Sequence, residues 1–293
     1  MSMYSPKEIA QNYSAYGVAK TKLPIPKMIL LAILAGMFIG LAGVGATIVP
    51  ATLYNNESLQ SLGKLLGALV FPTGLVMVLL AGSELWTGNC LIIIPVLQKE
   101  VKLRAMFRNW IFVYIGNFIG GLIVAALTVY GGTFKLFDGA AGAYLIDTAV
   151  MKVTMPWHEA LFRGIYCNFL VCVAVWIAFA AKDIAGKVIG LFFPIMLFVA
   201  SGYEHSIANM FFIPGGLFAK DLGGTALLHL HSSFADLGSL TWGAMFTNNL
   251  IPATLGNIIG GMVMVGIVYW YIYLREGAQK VVAKVHHKKK KKK

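Results

Sequence analysis

Two acids, two asparagines and one histidine lie in stretches otherwise too apolar to hold them. Glu84 and Asn89 interrupt one run within Gly82-Ser83-Glu84-Leu85-Trp86-Thr87-Gly88-Asn89. Glu204 and Asn209 interrupt another within Gly202-Tyr203-Glu204-His205-Ser206-Ile207-Ala208-Asn209. An ionisable group costs about 2.5–3.5 kcal/mol at the centre of a bilayer even on permissive scales, so such residues mark a pathway or a relay. The acids read as proton carriers or as caps on half-helices that restart beyond a break. Their recurrence in both stretches, about one turn before a helix start, favours caps. Asn89 and Asn209 read with them, as parts of the break rather than as ligands. His205 is different, because Leu85 occupies the aligned position in the first stretch. A lone histidine on an apolar helix is commonly a satisfied core group. At a break, an imidazole with an ordinary pKa near 6.5 can instead donate a hydrogen bond to a substrate and, where conditions allow, a proton. Thr87 opens the other restarting half-helix and offers a hydroxyl to the same region.

A second signature follows each break. Asn109-x6-Gly116-Asn117-Phe118-Ile119-Gly120-Gly121 is matched by Asn249-x6-Gly256-Asn257-Ile258-Ile259-Gly260-Gly261. The Gly-Asn-x-Ile-Gly-Gly element reads as close helix packing, since small residues let backbones approach in lipid. Paired, polar-interrupted hydrophobic segments in two halves of one chain point to a substrate site near the bilayer midplane. Transport is therefore the expected function.

The elements that position these residues follow from hydrophobicity. The chain has 293 residues, 58% of them hydrophobic. Apolar stretches long enough to cross a ~30 Å core run at about 24–49, 66–97, 108–130, 157–181, 188–218 and 249–274. The second and fifth are too long and too polar at their centres for one straight helix, and read as two half-helices flanking a break. The expectation is an all-α membrane protein of six transmembrane spans and one domain. Three spans per half make the second half an inverted copy of the first. Irregular backbone at membrane depth survives only beside protein or water, so both breaks should face a pore. Restarting half-helices aim N–H groups at that pore, which favours an anion.

Of the 24 Lys and Arg residues, 19 lie in the N-terminus, the loops after spans two and four, and the C-terminus. Both termini are then cytoplasmic by the positive-inside rule. The net charge of +12 reports topology and contact with anionic lipid, not nucleic-acid binding. The chain starts polar and its first apolar run is a full span, so no secretory signal is expected. Residues 1–23 contain the capping box Ser5-Pro6-Lys7-Glu8 and read as an amphipathic helix on the cytoplasmic surface. Residues 24–274 form the channel domain and 275–293 a basic tail, whose His286-His287 and Lys288–Lys293 are either a native anchor or an altered purification tag. Cys90, Cys167 and Cys172 read as free, packed thiols. One intramembrane histidine cannot supply two haem ligands, no Cys-x-x-Cys-His occurs, and no metal or cofactor is expected. The chemistry is not that of an enzyme.

Gly202-Tyr203-Glu204-His205-Ser206-Ile207-Ala208-Asn209-Met210 with Phe211-Phe212-Ile213-Pro214 resembles the signature of the formate/nitrite transporter family. Asn168-Phe169-Leu170-Val171-Cys172-Val173-Ala174-Val175-Trp176, Glu84-Leu85-Trp86-Thr87-Gly88-Asn89 and Gly256-Asn257-Ile258-Ile259-Gly260-Gly261 resemble it too, in the same order along all six spans. The resemblance implies an aquaporin-like protomer in a homopentamer, each protomer with its own pore. It implies His205 as the central pore histidine, Thr87 as the threonine of the loop in span two, and Asn168 as the asparagine near that histidine. Lys152 becomes the vestibule lysine; residue type alone would make it a solvated loop charge. Phe71, Leu75 and Phe198 resemble the cytoplasmic constriction, and Leu85 and Val171 the external one. Tyr203 and Trp86 stand where phenylalanine is frequent. The expected cargo is a small monovalent weak-acid anion, formate first, crossing as the neutral acid with a proton; hydrosulfide, nitrite, acetate and lactate are the alternatives. The N-terminal helix reads either as a plug for the cytoplasmic mouth or as a surface helix.

Overall fold

In a computed structural model, residues 3–276 are described, so the expected basic tail lies almost wholly outside them. The described chain is helical. Helix α1 spans Pro6–Thr21, α2 Ile25–Ile48, α3 Glu57–Gly82 and α4 Trp86–Leu97. Then come α5 at Leu103–Tyr130, α6 at Ala140–Thr154, α7 at Trp157–Ala180, α8 at Ile184–Ala200, α9 at Ser206–Leu222 and α10 at Trp242–Tyr273. Five of them, α2, α3, α5, α7 and α10, are long and apolar enough to cross a membrane, while α4 and α8 are apolar but shorter. Such sequences become helices because hydrocarbon offers backbone groups no outside partner. The second apolar stretch begins nine residues earlier than its hydrophobicity suggested, because the polar start Glu57–Gln60 is already wound.

Two helix pairs form the frame, α2 with α5 and α7 with α10. Glycines set their closeness. A Cβ on Gly120 would collide with the Ile33 carbonyl, and one on Gly260 with the Ile165 carbonyl. The helical runs stop at Gly82 and Gly202, which take left-handed φ of 83° and 67° that only glycine adopts without strain.

Helix α1 starts as its sequence indicates. The Ser5 Oγ accepts from the Glu8 N–H, and Glu8 Oε2 accepts from the Ser5 N–H at 2.7 Å. The Ser5 hydroxyl also donates to Glu8 Oε2 at 2.7 Å, and this bond first, then the one from the Ser5 N–H, holds the Glu8 carboxyl below its usual range. Of the two placements expected of it, α1 does not lie on lipid alone, because one face packs on the rest of the chain. Ile9, Ala10, Tyr13 and Lys20 are buried against protein, and the Tyr4 N–H donates to the Ala180 carbonyl. The Tyr13 hydroxyl donates to the Gly88 carbonyl at 2.9 Å. Burial pushes that phenol well above its usual pKa, so it remains a donor. Helix α6 was not expected at all. It converts Lys152 from a candidate loop charge into a nearly buried helix residue. The three cysteines are free and buried.

Candidate functional site

Each break is held by one asparagine. The first N–H of α4, on Trp86, donates to Asn117 Oδ1 at 2.9 Å. The first N–H of α9, on Ser206, donates to Asn257 Oδ1 at 3.0 Å. The Nδ2 of Asn117 donates to the carbonyls of Ala32 and Glu84, and that of Asn257 to the carbonyls of Gly164 and Glu204. One amide thus satisfies the orphan donor of a helix start and the stranded carbonyl before it, the accounting that buried backbone demands. Sequence reading took these asparagines only as part of a packing motif. Their recurrence in both Gly-Asn-x-Ile-Gly-Gly elements was the available signal.

The capping role expected of Glu84, Glu204, Asn89 and Asn209 is therefore corrected. Glu84 accepts from Lys20 Nζ at 2.8 Å, from Asn89 Nδ2 at 2.8 Å and from Asn109 Nδ2 at 3.4 Å. Glu204 accepts from Lys152 Nζ at 2.8 Å, from Asn209 Nδ2 at 2.6 Å and from Asn249 Nδ2 at 2.9 Å. A carboxylate buried this deeply needs a cation and several donors more than a helix start needs a cap. Neither Asn89 Oδ1 nor Asn209 Oδ1 has a hydrogen-bond partner. Turning either amide over would aim its carbonyl at the carboxylate, which fixes the orientation. Lys20 was not singled out in the sequence. Lys20-x3-Pro24 and Lys152-x3-Pro156 precede α2 and α7 at the same spacing, and that match would have paired them.

His205 follows Glu204 of one ion pair and reaches Thr87, three residues beyond Glu84 of the other. Its Nε2 is 3.0 Å from Thr87 Oγ1, and its Nδ1 accepts from the Ala208 N–H at 3.0 Å. A backbone N–H can only donate, so Nδ1 carries no proton and a neutral ring bears it on Nε2. The ring therefore donates to the Thr87 hydroxyl, leaving that hydroxyl's own proton free to donate onward. Histidine caps α9 as it does this. Phe198 stacks on the ring with centroids 5.8 Å apart. Asn168 does not bond the histidine. Its Nδ2 donates to the carbonyls of Thr87 and Asn257, tying α4 to α10.

Two cavities lie at the breaks, one lined by His205 itself and the other by Gly88, the residue after Thr87. One of about 410 Å3 is lined by Lys64, Phe71, Lys152, Arg163, Phe198, Glu204 and His205, among others. The other holds only about 20 Å3 and is lined by Tyr13, Tyr16, Lys20, Leu75, Leu85, Asn89 and Val175, among others. The expected grouping of Phe71, Leu75 and Phe198 is corrected. Phe71 and Phe198 open on the Lys152 side, whereas Leu75 and Leu85 face the α1 side. Chain direction explains it. Helix α8 begins three residues beyond Ala181, which bridges to Met3, and its residue 198 lies ~21 Å further on at 1.5 Å per residue. The expected external pairing of Leu85 with Val171 is corrected too: Leu85 lines the α1-side cavity with Val175, and Val171, one turn before Val175, is buried and lines neither cavity.

A helical membrane protein with a cavity at each of two polar breaks in its helices is built like a channel or transporter. Residues 7–271 match the family model described as Formate/nitrite transporter. The chain is 40% identical over 289 residues to a probable formate transporter of Methanothermobacter thermautotrophicus, covering 94% of this chain and 99% of that one. It is 37% identical over 276 residues to the formate channel FocA of Escherichia coli (strain K12), covering 92% and 95%. A solved pentameric formate channel with formate bound superposes with a TM-score of 0.76 at 36% identity, covering 85% of this chain and 98% of that one. The chain belongs to the formate/nitrite transporter family, and it is a membrane transport protein rather than an enzyme.

Proposed function

We propose that this protein is a formate channel of the cell membrane that passes the neutral acid, moving formate together with a proton. The observation that carries the reading is the His205–Thr87 pair, uncharged and buried, set between Phe71 with Phe198 on one side and Leu75 with Leu85 on the other. A carboxylate loses its hydration among such side chains and gains one hydroxyl in return, whereas the neutral acid loses far less. Desolvation raises the acid's own pKa as it enters, so the anion takes up a proton from solution before or at the constriction. The Thr87 hydroxyl, oriented by His205, then donates to the carboxyl group. The proton does not come from Nδ1 of His205, which is engaged with the Ala208 N–H. Lys152 and Lys20 stand at the two approaches, each matched by a glutamate.

The architecture that fits this role has six spans as two inverted three-span repeats, with spans two and five broken into half-helices as in an aquaporin-like protomer. Both termini face the cytoplasm. The relative described as a pentameric formate channel supports a homopentamer embedded in the bilayer.

Formate uptake into proteoliposomes, with and without an inward proton gradient and beside lactate, acetate, nitrite and hydrosulfide, tests the proposal. Uptake that follows the proton gradient and is largest for formate is expected. Current carried by formate without proton movement would exclude the neutral-acid route, and a larger flux of another acid would replace the substrate.

A further inference from the structure

We infer that Lys64, rather than Lys152, is the anion-capture residue of the larger cavity; this rests on the transport reading above. Three cations line that cavity: Lys64, Lys152 and Arg163. Lys152 Nζ lies 2.8 Å from Glu204, so together they present no net charge to an approaching anion. Arg163 lies 2.8 Å from Glu159. Among the described residues Lys64 is in none of the ion pairs. It is also solvent-exposed, which lets its ammonium meet an anion that is still hydrated.

Its position makes the charge useful. A Cβ built on Gly202 would stand 3.3 Å from Lys64 Nζ, so the ammonium lies over the bare backbone of the second break. Glu204 and His205 follow two and three residues later in the chain. An exposed lysine on a convex surface would merely be solvated. This one lies on the wall of a concave cavity whose other walls include Phe71, Phe198 and Phe212, and low-dielectric walls focus a charge's field and raise the local anion concentration. Capture and passage are thereby separated. Lys64 concentrates the anion outside the constriction, and the neutralised Lys152–Glu204 pair lets the protonated acid go by without trapping it. The α1 side has no equivalent, since Lys20, the cation lining its cavity, is paired with Glu84.

The full-length chain carrying Lys64→Cys, reconstituted in proteoliposomes, tests this. The three native thiols are buried, so an impermeant methanethiosulfonate reagent should label only residue 64. Formate uptake well below saturation should fall about tenfold in Lys64→Cys at low salt. An ethylammonium reagent should restore it in the same sample, and an ethylsulfonate reagent should depress it further. The difference between reagents should shrink towards 1 M salt, where the Debye length falls from about 10 Å to about 3 Å. Equal uptake after both reagents, or a difference indifferent to salt, would overturn the assignment of Lys64. Wild-type vesicles that accumulate no formate would instead overturn the transport reading and this assignment with it.

Discussion

The two halves of the chain build the same polar support and then differ at His205 and Thr87, neither of which is repeated. Lys20, Glu84, Asn89 and Asn109 make one cluster, and Lys152, Glu204, Asn209 and Asn249 the other. Asn117 and Asn257 hold the adjoining helix starts with matching bonds. His205 has Leu85 opposite it, and the cavities hold about 410 and 20 Å3. What is duplicated is architecture: it solves the cost of breaking a helix in a membrane, and each half faces that cost. The proposed chemistry rests on the pair that is not duplicated, His205 against Leu85 and Thr87 against Ile207. The supports also differ in mounting. Lys152 is set in α6, packed against α9, whereas Lys20 ends α1, which joins the rest through its own few side chains.

The comparison breaks most severely at the carboxylates. Glu204→Gln leaves the Lys152 ammonium without its counter-charge, and breaking a buried pair typically costs 3–5 kcal/mol. Thermal unfolding of the purified protein should show a large loss of stability. Glu84→Gln removes the same chemistry, but α1 can undock and hydrate Lys20, so its loss should be smaller and confined. Hydrogen exchange should report faster opening of residues 6–21, with α2 and α5 unchanged. Equal destabilisation by both variants would mean that α1 is as fixed as α6.

Making the halves alike at their point of difference is the next test. His205→Leu copies Leu85 and removes both the α9 cap and the donor to Thr87. Losing one hydrogen bond to a desolvated solute is worth ~1–3 kcal/mol, and each 1.36 kcal/mol is tenfold in rate. Proton-driven formate uptake should fall about 10- to 100-fold. His205→Phe should do the same, with uptake still following the proton gradient, and an unchanged rate in either variant would end the role given to His205.

Asn117→Ala and Asn257→Ala sharpen the symmetry itself. Each strands one helix-start N–H and the carbonyls that its amide had served. Unsatisfied buried groups cost about 1–3 kcal/mol, and the two variants should lose similar stability in thermal unfolding. A loss in only one would show that the matching bonds are unequal in weight.

Much of this arrangement was legible in the sequence because polar residues in hydrocarbon are conspicuous. The breaks at Gly82 and Gly202, the singular His205 and the family resemblance all came from residue type and order. What was missed depends on three-dimensional pairing. Asn117 and Asn257 looked like packing residues because a helix face shows no sign of what its side chain reaches. Glu84 and Glu204 sit close to helix starts in sequence, yet their oxygens turn to Lys20 and Lys152, which lie 64 and 52 residues away. The constriction was sorted wrongly because residue type does not reveal which end of a helix meets which cavity. The sequence leaves helix α1 either on the membrane surface or over the cytoplasmic mouth, because a covered apolar face and a lipid-facing one have the same periodicity.

The smallest effect bears on how α1 is held. Tyr13 donates to the Gly88 carbonyl in α4, one residue beyond Thr87, and its ring packs edge-on against Phe179 at 5.3 Å. Tyr13→Phe keeps the ring and removes the hydroxyl, a change worth ~1 kcal/mol for a neutral hydrogen bond. Global stability should barely move, because the bond joins α1 to the rest and α1 can open by itself. Opening of α1 should become about fivefold more frequent, visible as faster exchange of the amides between residues 9 and 21. Helix α6 is held by other bonds, among them Asn249 Nδ2 to the Lys152 carbonyl at 3.0 Å, so exchange in α6 should not change. If α6 responds as α1 does, the two lysine-bearing helices are coupled through the pore rather than mounted independently, and the contrast between the halves would have to be drawn at His205 alone.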